Sequence, residues 1–156
     1  MTDHSGTGTD TVVAVIGASN DRRKYGNKAV RAFLRQGYRV VPINPREREV
    51  EGLRAYASVL EVPGPIDMAS FYVPPSVGES IIDEMAAKHI AEVWLNPGAE
   101  SEALIARARA LDLRPVVLQA WNDGVRVFIE HGPGGGFARV LRGILGEREA
   151  LIVSLD

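Results

Sequence analysis

Val12-Val-Ala-Val-Ile16 is an unbroken apolar run of strand length. Because it lacks alternation, it reads as a strand buried on both faces, as in the middle of a parallel sheet. The pattern then changes period. Ala29, Val30, Phe33 and Leu34 recur at helical spacing, so a helix is expected over about Asn27 to Gln36, with Gly37 just past its end. A second strand, Tyr38 to Ile43, is stopped by Asn44-Pro45. Arg46 to Glu51 is polar, and Ser58 is placed to cap a short turn carrying Val59 and Leu60 before Pro63-Gly64-Pro65. A third strand is read over Asp67 to Val73, closed by Pro74-Pro75. Ser76 and Glu79 have capping-box spacing for the next helix, which runs to about Lys88 with Val77, Ile81, Ile82 and Met85 on one face. Glu92 to Leu95 reads as a fourth strand, with Trp94 assigned to the core. A helix opened by Glu100 or Ser101 carries Ala103, Leu104, Ala108 and Leu111, and Arg114 to Leu118 reads as a fifth strand.

Strands alternating with helices at this rhythm make successive βαβ units. Right-handed crossovers then predict an α/β fold: a doubly wound, mainly parallel, Rossmann-like sheet with helices on both faces. In such a sheet ligands bind outside the carboxyl ends of the strands. Four short loops share that rim: Gly17-Ala18-Ser19, Asn44-Pro45-Arg46, Val73-Pro74-Pro75 leading into Ser76, and Asn96-Pro97-Gly98. Helix 1 starts shortly after the first loop, and the unpaired N–H groups of a helix N-terminus favour an anion. Arg22, Arg23 and Lys24 lie between the two. Past the fifth strand, Val125 to Ile129 alternates like an added edge strand. His131 heads the glycine-rich stretch Gly132 to Gly136, Phe137 to Leu145 has a helical pattern, and Leu151 to Val153 is apolar. Residues 11–156 are read as one domain, with 122–156 a carboxyl-terminal extension.

Composition narrows the chemistry. A net charge of −2 gives no bulk attraction to nucleic acid or to an anionic membrane, so any anion site is local. There is no cysteine, which excludes disulfides, thiolate catalysis and cysteine-based zinc sites. No apolar run approaches the roughly 20 residues needed to cross a bilayer. Residues 1–10 are small and polar and read as a disordered tail, so the expected location is the cytoplasm. No Ser-His-Asp order, carboxylate pair or metal cluster stands out, and no catalytic residue is assigned.

The first turn is not G-x-G-x-x-G: Ser19 and Arg22 occupy the second and third glycine positions. A NAD site also wants an acid at the end of strand two, where this chain has Asn44, Pro45 and Arg46. An arginine there points to an extra phosphate, carried by NADP on one ribose hydroxyl and by coenzyme A on another.

Gly17-Ala-Ser19, Asn44-Pro-Arg46, Tyr72-Val-Pro-Pro75 and Asn96-Pro-Gly-Ala99, in register at successive strand ends, resemble the small CoA-binding domain family. They are also similar to the amino-terminal domain of the succinyl-CoA synthetase alpha subunit. The resemblance covers about Val12 to Leu118 and implies coenzyme A or acyl-CoA as ligand. It implies that Gly17, Ala18 and Ser19 lie against the CoA phosphates, that Arg22 and Arg46 are the charge partners of phosphates, and that Val73 and Pro74 pack on the nucleotide. Family members commonly carry a cysteine after strand five; this chain reads Gln119-Ala-Trp-Asn122. In the related CoA ligases a glycine-flanked phosphohistidine lies in a second domain, so His131 is assigned no catalytic role. The reading is therefore a CoA-binding protein without evident catalysis of its own. Three alternatives stay open: a NADP-binding oxidoreductase-like domain, a subunit of an acyl-CoA ligase acting with a partner chain, and a module that dimerises through its carboxyl-terminal region.

Overall fold

The computed structural model describes residues 10–96, 98–115, 127–131 and 151–155. Strand β1 (Val12–Ile16) is buried at all five positions and forms the axis of the sheet. It pairs in parallel with β2 (Arg39–Ile43) on one side and with β5 (Met68–Phe71) on the other. Beyond β5 lie β6 (Glu92–Leu95) and β7 (Arg114–Pro115), giving the order β2-β1-β5-β6-β7. The winding reverses between β1 and β5. That is the topological switch point, where an open α/β sheet leaves a crevice for ligand.

Alternate residues of β1 serve opposite faces. Val13 and Val15 pack with Val40 and with Ala29 and Val30 of helix α1 (Tyr25–Arg35). Val12, Ala14 and Ile16 join Ala69, Phe71, Val93 and Leu95 under helices α2 (Pro75–Ala87) and α3 (Glu102–Ala110). The expected doubly wound α/β architecture is thus present, with α1 on one face and α2 and α3 on the other.

Local differences have local causes. α1 begins at Tyr25, two residues before the expected start at Asn27, while Gly37 takes the expected left-handed conformation past its end (φ +84°). β5 stops at Phe71 and leaves Tyr72 and Val73 to the loop. Ser76 is not a cap: Pro74 takes the N-cap position and Pro75, whose fixed φ suits a first helical turn, is the first residue of α2. The expected partner of that box, Glu79, instead accepts a hydrogen bond from Ser101 Oγ (2.6 Å). Ser101 caps α3 through the Leu104 N–H, and Ser58 caps the short helical turn Val59–Glu61 through the Leu60 N–H, both as the sequence implies.

Trp94 is not in the core. Its register row, Val15–Ser70–Trp94, faces the α1 side, but α1 lies over β1 and β2, and Trp94 stays 43% exposed with its indole N–H on Glu92. The polar stretch after Asn44 folds as a hairpin, β3 (Glu49–Val50) against β4 (Leu53–Arg54), about a tight turn in which Glu51 and Gly52 both have positive φ. Strand β8 (Val127–His131) begins two residues later than the alternation implied. It pairs in parallel with β9 (Leu151–Leu155) in a separate two-stranded sheet, so it is no edge of the main one. The rest of strand five, Gln119 to Asn122, the glycine-rich stretch and the Phe137 to Leu145 pattern lie outside the described residues. Among those described, no helix is long and apolar enough to cross a membrane.

Candidate functional site

The turn after β1 is built by close approach. Gly17 has φ +86°, and its N–H donates to Ile43 O (2.9 Å) at the end of β2. A β-carbon at Gly17 would lie 2.8 Å from both Tyr72 O and Val73 Cγ1, so only glycine lets the turn close on the loop after β5. Gly26, in the first turn of α1, is tighter: a β-carbon there would lie 2.1 Å from Gly17 O. In the dinucleotide fingerprint the third glycine supplies this helix-to-strand contact. Here Gly26 supplies it, and Arg22, at the fingerprint spacing, is exposed.

Three asparagine amides then fix the loops to one another. Asn44 Nδ2 donates to Ala18 O (2.7 Å), while its Oδ1 accepts the Arg46 N–H (2.8 Å) and shapes the turn after β2. Asn27, fully buried on α1, donates to Ser19 O (2.8 Å) and to Glu51 Oε1 (2.9 Å), and accepts from Arg31 Nε (2.9 Å). Asn96 donates to Ser70 Oγ (2.9 Å) and Phe71 O (3.0 Å), joining the end of β6 to the end of β5. With its carbonyls held in this way, the turn has donors left over. Among the described residues, the buried Ala18 and Ser19 have no acceptor for their backbone N–H groups.

The charges around the turn are mostly paired. Arg22 contacts Glu51 (3.1 Å) with 65% of its side chain exposed. Glu51 is held below the ordinary carboxylate range, first by the Asn27 amide and then by Arg22 and Arg31. Asp21 binds both the side chain and the backbone N–H of Arg23, and these bonds lower its pKa to about 2. A depressed folded-state pKa stabilises above the unfolded value, near 3.8, and that contribution is lost as pH falls through about 2. A carboxyl-carbon NMR titration should therefore give Asp21 a midpoint near 2. In Arg23→Ala the midpoint should return toward 3.8, and an unchanged midpoint would refute the pairing. Arg46 is exposed and, among the described residues, has no carboxylate partner.

The structure therefore brings Gly17, Ala18, Ser19, Asn44, Val73 and Asn96 into one bonded rim across β2, β1, β5 and β6. Pro45 and Arg46 lie exposed on one flank, Pro74, Pro75 and Ser76 at the start of α2, and Gly98 just past Asn96. Arg22 is turned toward the hairpin. Gly26, Asn27, Asn20 and Glu47 were missed in the sequence. Gly26 and Asn27 carried a faint signal, a glycine and a polar residue on the buried side of an amphipathic helix; the Asn20–Glu47 contact carried none. A cavity of about 370 Å³ lies at the opposite, amino-terminal end of the strands, lined by Val12, Leu34, Tyr38, Val40, Leu53 and Pro63. It has no part in the rim. Among the described residues no group of acidic or histidine side chains could hold a metal ion.

A turn at the switch point whose Ala18 and Ser19 N–H groups have no acceptor among the described residues, with an exposed arginine in the loop after the second strand, is the arrangement that nucleotide-binding doubly wound domains use. Residues 11–120 match the model of the CoA binding domain family, and the chain belongs to that family. It is 42% identical over 82 residues to the alpha subunit of the ADP-forming acetate–CoA ligase II of Pyrococcus furiosus, a stretch that is 52% of this chain and 18% of that one. The chain thus spans less than a fifth of that relative. A conserved hypothetical protein of Pyrococcus furiosus superimposes with a TM-score of 0.64 at 34% identity, over 69% of this chain and 91% of the other. The dinucleotide-forming acetyl-coenzyme A synthetase 1 of Ca. Korarchaeum cryptofilum, solved with phosphate and ADP, gives 0.62 at 26% identity over 94% of this chain and 38% of its own.

Proposed function

We propose that the chain binds coenzyme A or an acyl-CoA across the rim. In this reading the N–H groups of Ala18 and Ser19, with the start of α1, take the pyrophosphate, Arg46 takes the ribose phosphate, and Val73 and Pro74 pack on the nucleotide. Arg22 reaches a phosphate only by leaving Glu51. The observation that carries the reading is the pair of loop N–H groups, in the buried residues Ala18 and Ser19 at the switch point, that have no acceptor among the described residues, because an anion there would give each a charge-assisted partner. Calorimetry with CoA, NADP and NAD tests it. CoA should bind and NAD should not, and binding of NADP in place of CoA would overturn the assignment. Arg46→Ala should weaken CoA about tenfold, the size of one charge-assisted hydrogen bond. Dephospho-CoA, which lacks the ribose phosphate, should bind both forms alike. An equal loss for both ligands would place Arg46 elsewhere.

Similarity to a ligase subunit favours a second reading, in which the chain supplies the CoA-binding part of an ADP-forming acyl-CoA ligase. Recovery of the tagged chain from its native host with a second, nucleotide-binding chain would support it. Recovery of the chain alone counts against it.

A further inference from the structure

The hairpin that follows β2 reaches back over the phosphate turn and presents it with a carboxylate. Glu47 accepts from Asn20 twice: Oε1 from the backbone N–H (3.2 Å) and Oε2 from the side-chain amide (2.9 Å). Asn20 Nδ2 also donates to Glu49 O (2.7 Å), which fastens the hairpin to the turn. Two oxygens of one anion bridging two donors of a glycine turn reproduce what two oxygens of a phosphate would do there. Asn20 N–H is the next loop donor after those of Ala18 and Ser19, and it alone of the three is already taken by an anion.

We propose that Glu47 is a built-in competitor for the phosphate turn: its carboxylate holds the turn closed in the free protein and must swing away, or bear like-charge repulsion, when a pyrophosphate binds. The proposal rests on the reading that the turn binds the pyrophosphate of CoA. It explains why a side chain so close to an anion site is an acid. Glu47 supplies the turn with an acceptor when no ligand is there, and Asn20 keeps Glu49 O as a partner when Glu47 leaves. The competitor sets affinity without touching the parts of the ligand that give specificity.

Glu47→Gln removes the charge and keeps an acceptor for the Asn20 N–H, and Glu47→Ala removes both. Each is titrated with CoA and, separately, with inorganic pyrophosphate, following the Asn20 amide by NMR. Asp112→Asn, in an exposed turn at the amino-terminal end of the sheet, controls for net charge. Both Glu47 variants should bind CoA about threefold to tenfold more tightly than wild type, the effect of one unit charge a few ångströms away through a water-like medium. Asp112→Asn should not differ from wild type. Equal or weaker binding by Glu47→Gln overturns the competitor and leaves the CoA reading standing. Should wild type bind no CoA, that reading fails, and pyrophosphate decides the competitor. Tighter uptake of pyrophosphate by Glu47→Gln than by wild type sustains it, and equal or no uptake overturns it.

Discussion

Gly26→Ala is expected to lower the unfolding free energy by roughly 3–4 kcal/mol, toward the upper end of what overpacking costs. The added methyl would lie 2.1 Å from Gly17 O, 3.0 Å from Gly17 C and 3.3 Å from Ala18 Cα. All three are backbone atoms, so no side chain can rotate out of the way. Relief requires the first turn of α1 to lift off the loop, which also breaks the Asn27 bond to Ser19. Alanine is the better helix former, but by only about 1 kcal/mol, too little to compensate. Urea denaturation checks the value. A variant within about 1 kcal/mol of wild type would mean that α1 does not sit on Gly17 as described.

Asn27→Ala is expected to cost about 2–3 kcal/mol. Three hydrogen bonds go at once, leaving Ser19 O, the Glu51 carboxylate and the Arg31 guanidinium each short of a partner beside a position with no exposure. Helix propensity returns about 0.6 kcal/mol at most. The same variant should weaken CoA, because Ser19, whose N–H is proposed to take the pyrophosphate, then loses the amide that holds its carbonyl. Denaturation and calorimetry on one preparation separate the two effects. A destabilised variant with wild-type affinity would show that Asn27 supports the helix and not the loop.

Much of this was readable beforehand, for reasons specific to each element. Val12–Ile16 is apolar throughout because both its faces are covered, and that pattern has few alternative readings. The loops ending β1, β2, β5 and β6 carry glycine, asparagine or proline because each chain must turn at once, and parallel pairing brings them to one rim. What escaped depended on contacts far apart in sequence. Glu51 adopts positive φ, which a glutamate does not advertise, so a hairpin of two-residue strands looked like polar loop. Ser76 and Glu79 have the spacing of a capping box, but Pro75 had already fixed the start of the helix two residues earlier. Trp94 sits in a central strand whose second face α1 does not reach. Asn27 is indistinguishable in sequence from a solvated asparagine until Ser19 and Glu51 arrive beside it.

The asparagine ties divide the rim into two kinds of interaction. Asn44 and Asn96 hold Ala18 O, Ser70 Oγ and Phe71 O, all uncharged acceptors. Arg46 and the Arg22–Glu51 pair, by contrast, act through full charges near the surface. Dissolved salt screens the second kind strongly and the first hardly at all. On the proposed reading, ionic strength therefore adjusts how firmly CoA is held, while the Asn44 and Asn96 ties keep their shape.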